Sequence, residues 1–347
     1  MKVVSDKQVV KHLLATLDKE SIVNDYQPAL LSALSNYEKD PSVSPERTVQ
    51  LSNTPDSDTT HLFMPCIAPH GVGVKVVSGG PTNGSKGLGF QGCAVILDEY
   101  TGELLAIVNA KALTAFRTAL ASTFGLVKAF DVKESGVMLP ELLVFGTGPQ
   151  AFWHAVLAGR LYPQIKRINI VSRTLKSGEN LAAELAQVLK QDVVAVELTD
   201  KEQVRTHVRN SSIIFGCTPS TEGIILGDYI DDDPNKRKYI SLIGSYKPHM
   251  IELNLEFIKQ HFTGKKTKIL VDSKSNTLSE AGELIQGEIG KDQLASLVEL
   301  MTGEVDIGDC ITETGVVVLK IVGLLIMDIA MAKFVMEHCE GLVVNEF

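Results

Sequence analysis

Apolar residues recur at helical spacing near the start of the chain. This spacing predicts helices over residues 7–19 and 27–37. After residue 47 the pattern changes to short apolar runs bounded by turn residues. The strands predicted there cover residues 61–65, 71–77 and 92–97, with a Gly/Pro-rich loop at 78–89 and a hairpin turn at 100–102. Residues 113–130 contain few helix breakers, so we expect one long helix that leads the chain into a second domain.

The second half of the chain alternates short apolar runs with amphipathic stretches. The strands predicted there cover residues 141–145, 167–172, 193–198, 212–216, 239–244 and 268–272. Helical patterns follow the first two, at residues 149–161 and 178–190. Strands that alternate with helices indicate a parallel sheet with crossover helices. Residues 314–339 are apolar and helical in pattern, and no strand is predicted after them, so we expect a helix that packs on the first domain.

A glycine-rich turn follows the strand predicted at residues 141–145 and opens a helix. Gly146 permits a tight turn, Gly148 lets the backbone approach a pyrophosphate, and Ala151 lets the helix pack close to the strand. The helix N-terminus adds free amides and the positive end of a dipole. The pattern therefore predicts a dinucleotide site. Its predicted contacts are Gly146, Thr147, Gly148, Pro149, Gln150 and Ala151.

The end of the strand at residues 167–172 bears on the choice of dinucleotide. NAD-specific sites usually place an acidic residue there, whereas this chain has Ser172, Arg173 and Thr174. A guanidinium flanked by hydroxyls suits a 2′-phosphate, so we expect these residues to bind NADP(H), with NAD as the other candidate. Cys217 and Thr218 end the fourth strand and are expected to line the nicotinamide side.

These patterns together predict an α/β protein of two domains, which a length of 347 residues also favours. A Rossmann-type parallel-sheet domain is expected at residues 131–313. A second, α+β domain is expected at residues 1–130, completed by the C-terminal segment 314–347.

Charge and cysteine content exclude several classes of protein. The net charge is -9 and no basic stripe occurs, which argues against nucleic acid as a partner. Lys320, Asp328 and Lys333 interrupt the longest apolar stretch, so we do not expect it to span a membrane. Five scattered cysteines without a CxxC motif predict neither zinc nor disulfides. The N-terminal apolar run is too short for a secretory signal, and we expect a cytoplasmic protein.

Several motifs of the chain are similar to those of one known family. In the first half they are Arg47-Thr48-Val49, Phe63-Met64-Pro65, Val74-Lys75-Val76-Val77, Gln91, Gly102-Glu103-Leu104-Leu105-Ala106 and Leu113-Thr114-Ala115-Phe116-Arg117-Thr118-Ala119. The similarity continues through residues 146–151, 244–248 and 320–330. The chain thus resembles the ornithine cyclodeaminase/mu-crystallin family, which also contains alanine dehydrogenases and imine reductases. The resemblance implies a first domain that binds the substrate and forms a homodimer through its sheet.

The resemblance also implies roles for individual residues. It implies that Arg47, Lys75 and Arg117 are catalytic and face the carboxylate and the amine or imine of a small substrate. The other implied contacts are Gln91 with the substrate, and Gly244 and Ser245 with the cofactor. Arginine suits bidentate binding of a carboxylate. A desolvated lysine has a lowered pKa, which allows proton exchange with an imine nitrogen.

One position departs from the cyclodeaminases of this family. They carry an aspartate in the loop that matches residues 244–248, where this chain has Tyr246, or Ser245 if the register slips by one. We therefore expect an NADP-dependent oxidoreductase that reduces a cyclic ketimine carboxylate, of pyrroline- or piperideine-2-carboxylate type, to a cyclic amino acid. The substrate is expected between the two domains. The alternatives are an ornithine cyclodeaminase, which makes proline and ammonia from ornithine, an alanine-type amino-acid dehydrogenase, and a non-catalytic NADPH-binding protein similar to mu-crystallin.

Overall fold

The computed structural model describes residues 1–69, 71–132, 139–231 and 233–346. Its chain divides into two compact units. The first comprises Met1–Arg117 and Leu324–Phe347, and the second comprises Thr118–Gly323. The sequence predicts boundaries after residues 130 and 313, and the observed division falls earlier at the first boundary and later at the second.

The described residues form short strands and helices along the whole chain. The strands are β1 (Lys2–Val4), β2 (Thr48–Leu51), β3 (Thr60–Ala68), β4 (Gly71–Gly79), β5 (Gln91–Leu97), β6 (Leu104–Asn109), β7 (Glu141–Phe145), β8 (Arg167–Ser172), β9 (Asp192–Glu197), β10 (Ser211–Gly216), β11 (Lys238–Leu242), β12 (Ile269–Val271), β13 (Leu294–Ser296), β14 (Val316–Lys320) and β15 (Leu342–Val343). The α-helices are α1 (Asp6–Thr16), α2 (Lys19–Ser21), α3 (Gln27–Lys39), α4 (Pro81–Ser85), α5 (Ala110–Ala129), α6 (Pro149–Leu161), α7 (Leu175–Leu185), α8 (Lys201–Asn210), α9 (Leu255–His261), α10 (Lys274–Glu280), α11 (Gly282–Gln286), α12 (Leu297–Thr302) and α13 (Leu325–His338).

The first unit is built on a seven-stranded sheet in the order β15-β1-β6-β5-β4-β3-β2. β1 and β6 run parallel, and the other neighbouring strands run antiparallel. Burial alternates along β4, where the odd-numbered residues are buried and the even-numbered ones are half-buried. A side chain at Gly73 would meet Ile329 of α13. The odd-numbered face of β4, which includes Lys75, therefore lies against α13.

The opposite face of this sheet is apolar and only partly covered. Phe63 and Ile67 of β3 are 43% and 66% exposed. They pair with Val76 and Val72 of β4, which are half-buried. Paired residues project from the same face of a sheet, so these side chains form one apolar surface, which we call the outer face.

The second unit contains an eight-stranded parallel sheet in the order β13-β12-β14-β11-β10-β7-β8-β9. The run β9-β8-β7-β10-β11 has the 3-2-1-4-5 strand order that begins a dinucleotide-binding sheet, and β14 lies beside β11. The order reverses between β7 and β10, and ligands of such sheets bind at the carboxyl ends of the strands near that point. This arrangement confirms the predicted parallel sheet.

The structure corrects the predicted helix over residues 314–339. Val316–Lys320 form β14, which pairs with β11 and β12, and the helix α13 begins only at Leu325. A strand buried on both faces is a continuous apolar run, which periodicity alone cannot distinguish from a buried helix. A strand also follows this helix, because β15 pairs with β1. None of the described helices is long and apolar enough to cross a membrane.

Candidate functional site

Three charged side chains meet inside the first unit. Lys75 of β4, Arg117 of α5 and Asp328 of α13 are 4%, 6% and 0% exposed. Lys75 Nζ lies 2.7 Å from Asp328 Oδ1, and Arg117 Nη2 lies 3.1 Å from Asp328 Oδ2. One carboxylate thus faces two cations, so this ion cluster carries a net positive charge. A buried excess charge is costly unless an anion joins it.

The hydrogen bonding of Arg117 is incomplete. Among the described residues, its Nε and Nη1 atoms are buried without a hydrogen-bond partner. A buried donor left without a partner costs free energy, and arginine offers its donors as a planar fork that matches a carboxylate. The cluster therefore has the charge and the donors to receive a carboxylate from outside the chain.

Burial and neighbouring charges set the protonation of this cluster. Burial lowers the pKa of Lys75, and the charges of Arg117 and Arg47 lower it further, while Asp328 opposes the shift. Burial alone would raise the pKa of Asp328, but Arg117 and Lys75 outweigh it and hold that pKa below its usual value. The result is an ionised carboxylate beside a lysine that releases its proton more readily than usual.

The structure brings Arg47 near the cluster and leaves Gln91 away from it. Thr48 pairs with Phe63, which sets Arg47 level with Met64, the partner of Lys75 in β4. The charge of Arg47 acts on the pKa of Lys75, as expected for a nearby residue. Gln91 lies three residues from Ala94, which pairs with Lys75, and so projects from the opposite face. Its amide donates to backbone carbonyls of its own loop.

Sequence reasoning did not identify Asp328 as a site residue. In the sequence Asp328 is a charge that interrupts an apolar stretch, and that interruption is the available signal. An aspartate within an otherwise buried helix needs a cationic partner. Lys75 lies 253 positions away along the chain, so the partner could not be named from local sequence.

The predicted phosphate loop has the geometry of a cradle in the second unit. Gly146 has a φ of 112°, and a Cβ there would lie 2.6 Å from the carbonyl oxygen of Cys217. Gly148 caps α6 without a side-chain hydrogen bond, and a Cβ there would meet nothing within 4 Å. Pro149 is the first residue of α6, and Ala151 is fully buried against the unit. The open space at Gly148, in front of the first-turn amides, fits a dinucleotide phosphate.

The residues after β8 are arranged around the start of α7. Ser172 is buried, and its hydroxyl donates to the carbonyl oxygen of Thr174. Thr174 caps α7, and its hydroxyl lies 2.8 Å from that of Ser177. Arg173 is exposed between them. An arginine beside a helix N-terminus and two hydroxyls suits an added phosphate.

The two loops after β10 and β11 lie against each other. A Cβ at Gly244 would lie 2.0 Å from the carbonyl oxygen of Thr218. Ser245 is fully buried, and its hydroxyl donates to Glu283 and accepts from Lys320. Ser245 is one of the predicted cofactor contacts, but its hydroxyl already bonds to two side chains in the interior of the unit.

Three further observations bear on the chemistry that the described residues can perform. Burial raises the pKa of Cys217 well above its usual value, so its thiol stays protonated. Tyr246 is 41% exposed in the loop after β11. In the described part of the chain, His, Cys, Asp and Glu side chains form no group of three that could hold a metal ion.

The sequence of the chain is similar to those of known proteins. The profile of the ornithine cyclodeaminase/mu-crystallin family matches residues 7–342. A Saccharomyces cerevisiae protein, named only as uncharacterized, is 34% identical over 311 residues, which are 80% of this chain and 81% of that one. A Δ1-pyrroline-2-carboxylate reductase of Bacillus cereus is 27% identical over 319 residues, which are 88% and 89% of the two chains.

A solved structure shares the fold of the whole chain. Thermococcus litoralis Δ1-pyrroline-2-carboxylate reductase, in complex with NADH and L-proline, superposes with a TM-score of 0.76 at 24% identity. The match covers 97% of each chain. This likeness confirms the predicted α/β fold class with a Rossmann-type sheet.

Proposed function

The chain belongs to the ornithine cyclodeaminase/mu-crystallin family, and from that premise we propose that it reduces a cyclic ketimine carboxylate to a cyclic amino acid with a nicotinamide dinucleotide. The observation that carries this proposal is the pair of buried, unpartnered N–H groups of Arg117 beside Lys75, among the described residues. A small anionic substrate with a nitrogen next to its carboxylate would satisfy both residues. The Bacillus cereus relative, a Δ1-pyrroline-2-carboxylate reductase, supports this substrate class.

In this proposal the ion cluster binds the substrate carboxylate. Arg117 donates from Nε and Nη1 as a fork, and Arg47 adds a second positive charge nearby. Asp328 keeps the Arg117 guanidinium in place through Nη2. The substrate then arrives as the missing anion of the cluster, so binding relieves a charge excess that already exists in the free protein.

Lys75 supplies the proton in this proposal. When bound, the reduced nicotinamide supplies the hydride that the imine carbon receives. Lys75 Nζ donates a proton to the imine nitrogen, and its lowered pKa brings its proton affinity closer to that of the imine. Asp328 Oδ1, at 2.7 Å, orients the ammonium group. The carbon gains a hydride and the nitrogen gains a proton, which completes reduction of the C=N bond.

The cofactor in this proposal is NADP(H). Arg173, beside the N-terminus of α7 and the Thr174 hydroxyl, supports recognition of a 2′-phosphate. The solved relative from Thermococcus litoralis binds NADH, so the preference has to be measured for this chain.

We also infer that two copies of the chain pair through the outer face. Phe63 and Ile67 are exposed on one face of the sheet, and neighbouring apolar side chains exposed on one surface are typical of an interface between subunits. We expect sedimentation equilibrium to give a mass near twice 37.6 kDa for the wild type. Ile67→Lys would bury a charge in the interface and should yield the monomer mass. Tyr100→Lys, at a residue 87% exposed in a hairpin turn, should leave the dimer intact. A monomeric wild type would refute the inference.

The experiment that tests the function compares substrates and cofactors in one assay. We expect the wild type to oxidise NADPH faster than NADH with pyrroline- or piperideine-2-carboxylate. Arg173→Ala should weaken NADPH binding about tenfold and leave NADH binding nearly unchanged, because only a charge-assisted bond to the 2′-phosphate is lost. Arg167→Ala, at the other end of β8 in an exposed pair with Asp192, is the matched control.

Other outcomes of this assay would favour the alternatives. Ammonia release from ornithine without net oxidation of cofactor would identify a cyclodeaminase. Turnover of pyruvate with ammonia would identify an alanine-type dehydrogenase. Cofactor binding without turnover of any imine would indicate a binding protein, and each of these results would overturn the proposed reductase.

A further inference from the structure

One buried carboxylate connects the two loops at the carboxyl edge of the parallel sheet. Glu252 is 0% exposed. Its Oε1 accepts hydrogen bonds from the backbone N–H of Thr218 at 2.7 Å and from the Thr218 hydroxyl at 2.9 Å. Its Oε2 accepts from the backbone N–H groups of Gly244 at 2.7 Å and Ser245 at 3.3 Å. One oxygen therefore holds the loop after β10 and the other holds the loop after β11.

A second layer of charged residues holds Glu252 itself. The Oε1 atom of Glu283 accepts from the backbone N–H of Glu252 at 2.7 Å and from the Ser245 hydroxyl at 2.6 Å. Lys320 Nζ donates to the Ser245 hydroxyl at 2.6 Å and lies 3.8 Å from the other oxygen of Glu283. Both loops are thus fixed to α11 and β14 through one connected network.

Stability alone is a weak reason for this arrangement. Two buried carboxylates and one lysine cost desolvation energy, and apolar residues of similar volume often stabilise a fold as well or better. The network instead determines the positions of backbone atoms. The loop after β10 also touches the phosphate loop, since a Cβ at Gly146 would meet Cys217. Glu252 therefore acts on backbone that borders the dinucleotide cradle, next to the point where the strand order reverses.

We propose that Glu252 is a positioning residue that fixes the loops 217–218 and 244–245 so that they hold the nicotinamide end of the dinucleotide. This inference rests on the proposed dinucleotide site, and it assigns a role to a residue that does not itself touch the cofactor. It predicts that loss of the carboxylate affects the nicotinamide end selectively and spares the phosphate end, which α6 and the end of β8 provide.

The surroundings of Glu252 give this role a pH dependence. Burial raises the pKa of Glu252 to about 7, the charge of Glu283 adds to this rise, and Lys320 opposes it. The thiol of Cys217 is the other titratable group that faces Glu252, and it stays protonated because burial raises its pKa well above the usual value. When the carboxyl group is protonated, one of its oxygens carries an O–H and faces a backbone N–H that it no longer accepts from. The hydrogen bonds from Glu252 to that loop therefore weaken below about pH 7.

The same titration acts on stability in the opposite direction. Because the pKa of Glu252 is raised on folding from its usual 4.5 to about 7, this group contributes its full stability below pH 4.5 and loses it as the pH rises through 7. Binding of the nicotinamide end should therefore improve with rising pH while the contribution of Glu252 to stability declines. If Glu252 had only a structural role, the affinity for the nicotinamide end and the stability of the fold would change in the same direction with pH.

The test measures two ligands on three proteins. Calorimetry gives the Kd of NADPH and of 2′-phospho-ADP-ribose, which lacks the nicotinamide, for the wild type, Glu252→Gln and Glu141→Gln. In Glu252→Gln the side-chain NH2 group faces backbone N–H donors, so the hydrogen bonds to one of the two loops are lost. We therefore expect NADPH to bind about tenfold more weakly. The fragment should bind within about twofold of the wild type. Glu141 pairs with Asn169 and His207 at the opposite edge of the same sheet, so its variant should preserve both constants.

A second variant and a pH series test the same role independently. Thr218→Val removes only the hydroxyl bond to Glu252 and should show a smaller effect of the same kind if Glu252→Gln does not fold. Between pH 6 and 8, roughly the range around the raised pKa, NADPH affinity should rise in the wild type and stay flat in Glu252→Gln. Equal weakening of both ligands, or an unchanged NADPH constant, would refute the positioning role. Failure of the wild type to bind either ligand would instead refute the dinucleotide site, and the positioning role with it.

Discussion

Replacement of Asp328 by Asn is expected to lower the free energy of unfolding by about 3 kcal/mol, because it leaves Lys75 and Arg117 buried without a counter-ion. The asparagine keeps the shape of the side chain and one acceptor oxygen, so the cost comes mainly from the lost charge. Urea unfolding of the two proteins at the same pH measures the difference. Asp192→Asn removes a carboxylate from an exposed pair with Arg167 and should change stability little.

The pH dependence of the Asp328→Asn variant provides a second readout. The pKa of Lys75 already lies below its usual 10.5, and loss of the carboxylate should lower it further. A lowered lysine pKa means that the unfolded chain binds more protons, so stability falls as the pH drops from 10.5 through the folded value. The variant should therefore lose more stability than the wild type on going from pH 10 to neutral pH. If the variant were as stable as the wild type at every pH, Asp328 would not be the counter-ion that stabilises Lys75 and Arg117.

Replacement of Arg117 by Ala is expected to lower kcat/KM for the cyclic imine carboxylate by about 10²–10³-fold, equivalent to about 3–4 kcal/mol of transition-state stabilisation. The variant loses the two donors that await a carboxylate, while Lys75 and Asp328 remain as a balanced pair. Arg117→Lys keeps the charge but not the fork and should recover only part of the loss. Steady-state kinetics of the three proteins measure these differences.

A substrate without a carboxylate isolates the proposed contact. With a simple cyclic imine, the wild type should be slow, and Arg117→Ala should be about as slow as the wild type, because the contact that the substitution removes is absent in both. NADPH affinity should be unchanged in the variant. If Arg117→Ala impaired the imine with and without the carboxylate equally, the role of Arg117 in carboxylate binding would be excluded, and the loss would have to come from damage to the cluster as a whole.

Local motifs made much of the second unit predictable. The turn at residues 146–151 lies between β7 and α6, and each of its requirements concerns a few consecutive residues. The positive φ of Gly146 and the open space at Gly148 are consequences of those residues in that turn. The alternation of strands and helices likewise predicts a parallel sheet, since crossover connections leave little other choice.

Local sequence patterns carry less information where one residue faces another far along the chain. The apolar pattern of residues 314–339 predicts a helix, but Val316–Lys320 form a strand, because a continuous apolar run has no period that distinguishes a buried strand from a buried helix. The resemblance implies that Gln91 and Lys75 contact the same substrate, whereas the register of β4 and β5 places the two side chains on opposite faces of the sheet. The resemblance implies that Ser245 contacts the cofactor, and only the tertiary structure shows that its hydroxyl donates to Glu283 in the interior, which leaves the backbone of this loop to face a ligand.

The α/β class and a glycine turn placed between a strand and a helix follow from the spacing and type of neighbouring residues. The basic residues proposed to bind a small anionic substrate follow from the resemblance to the family. Only folding brings Asp328 against both Lys75 and Arg117, and only folding lets Glu252 join the loops after β10 and β11. The physical reason is that the charge state and position of a buried group depend on partners brought to it by folding. Asp328 lies 253 residues from Lys75, and Glu252 lies 34 residues from Thr218, distances at which spacing carries no information about contact.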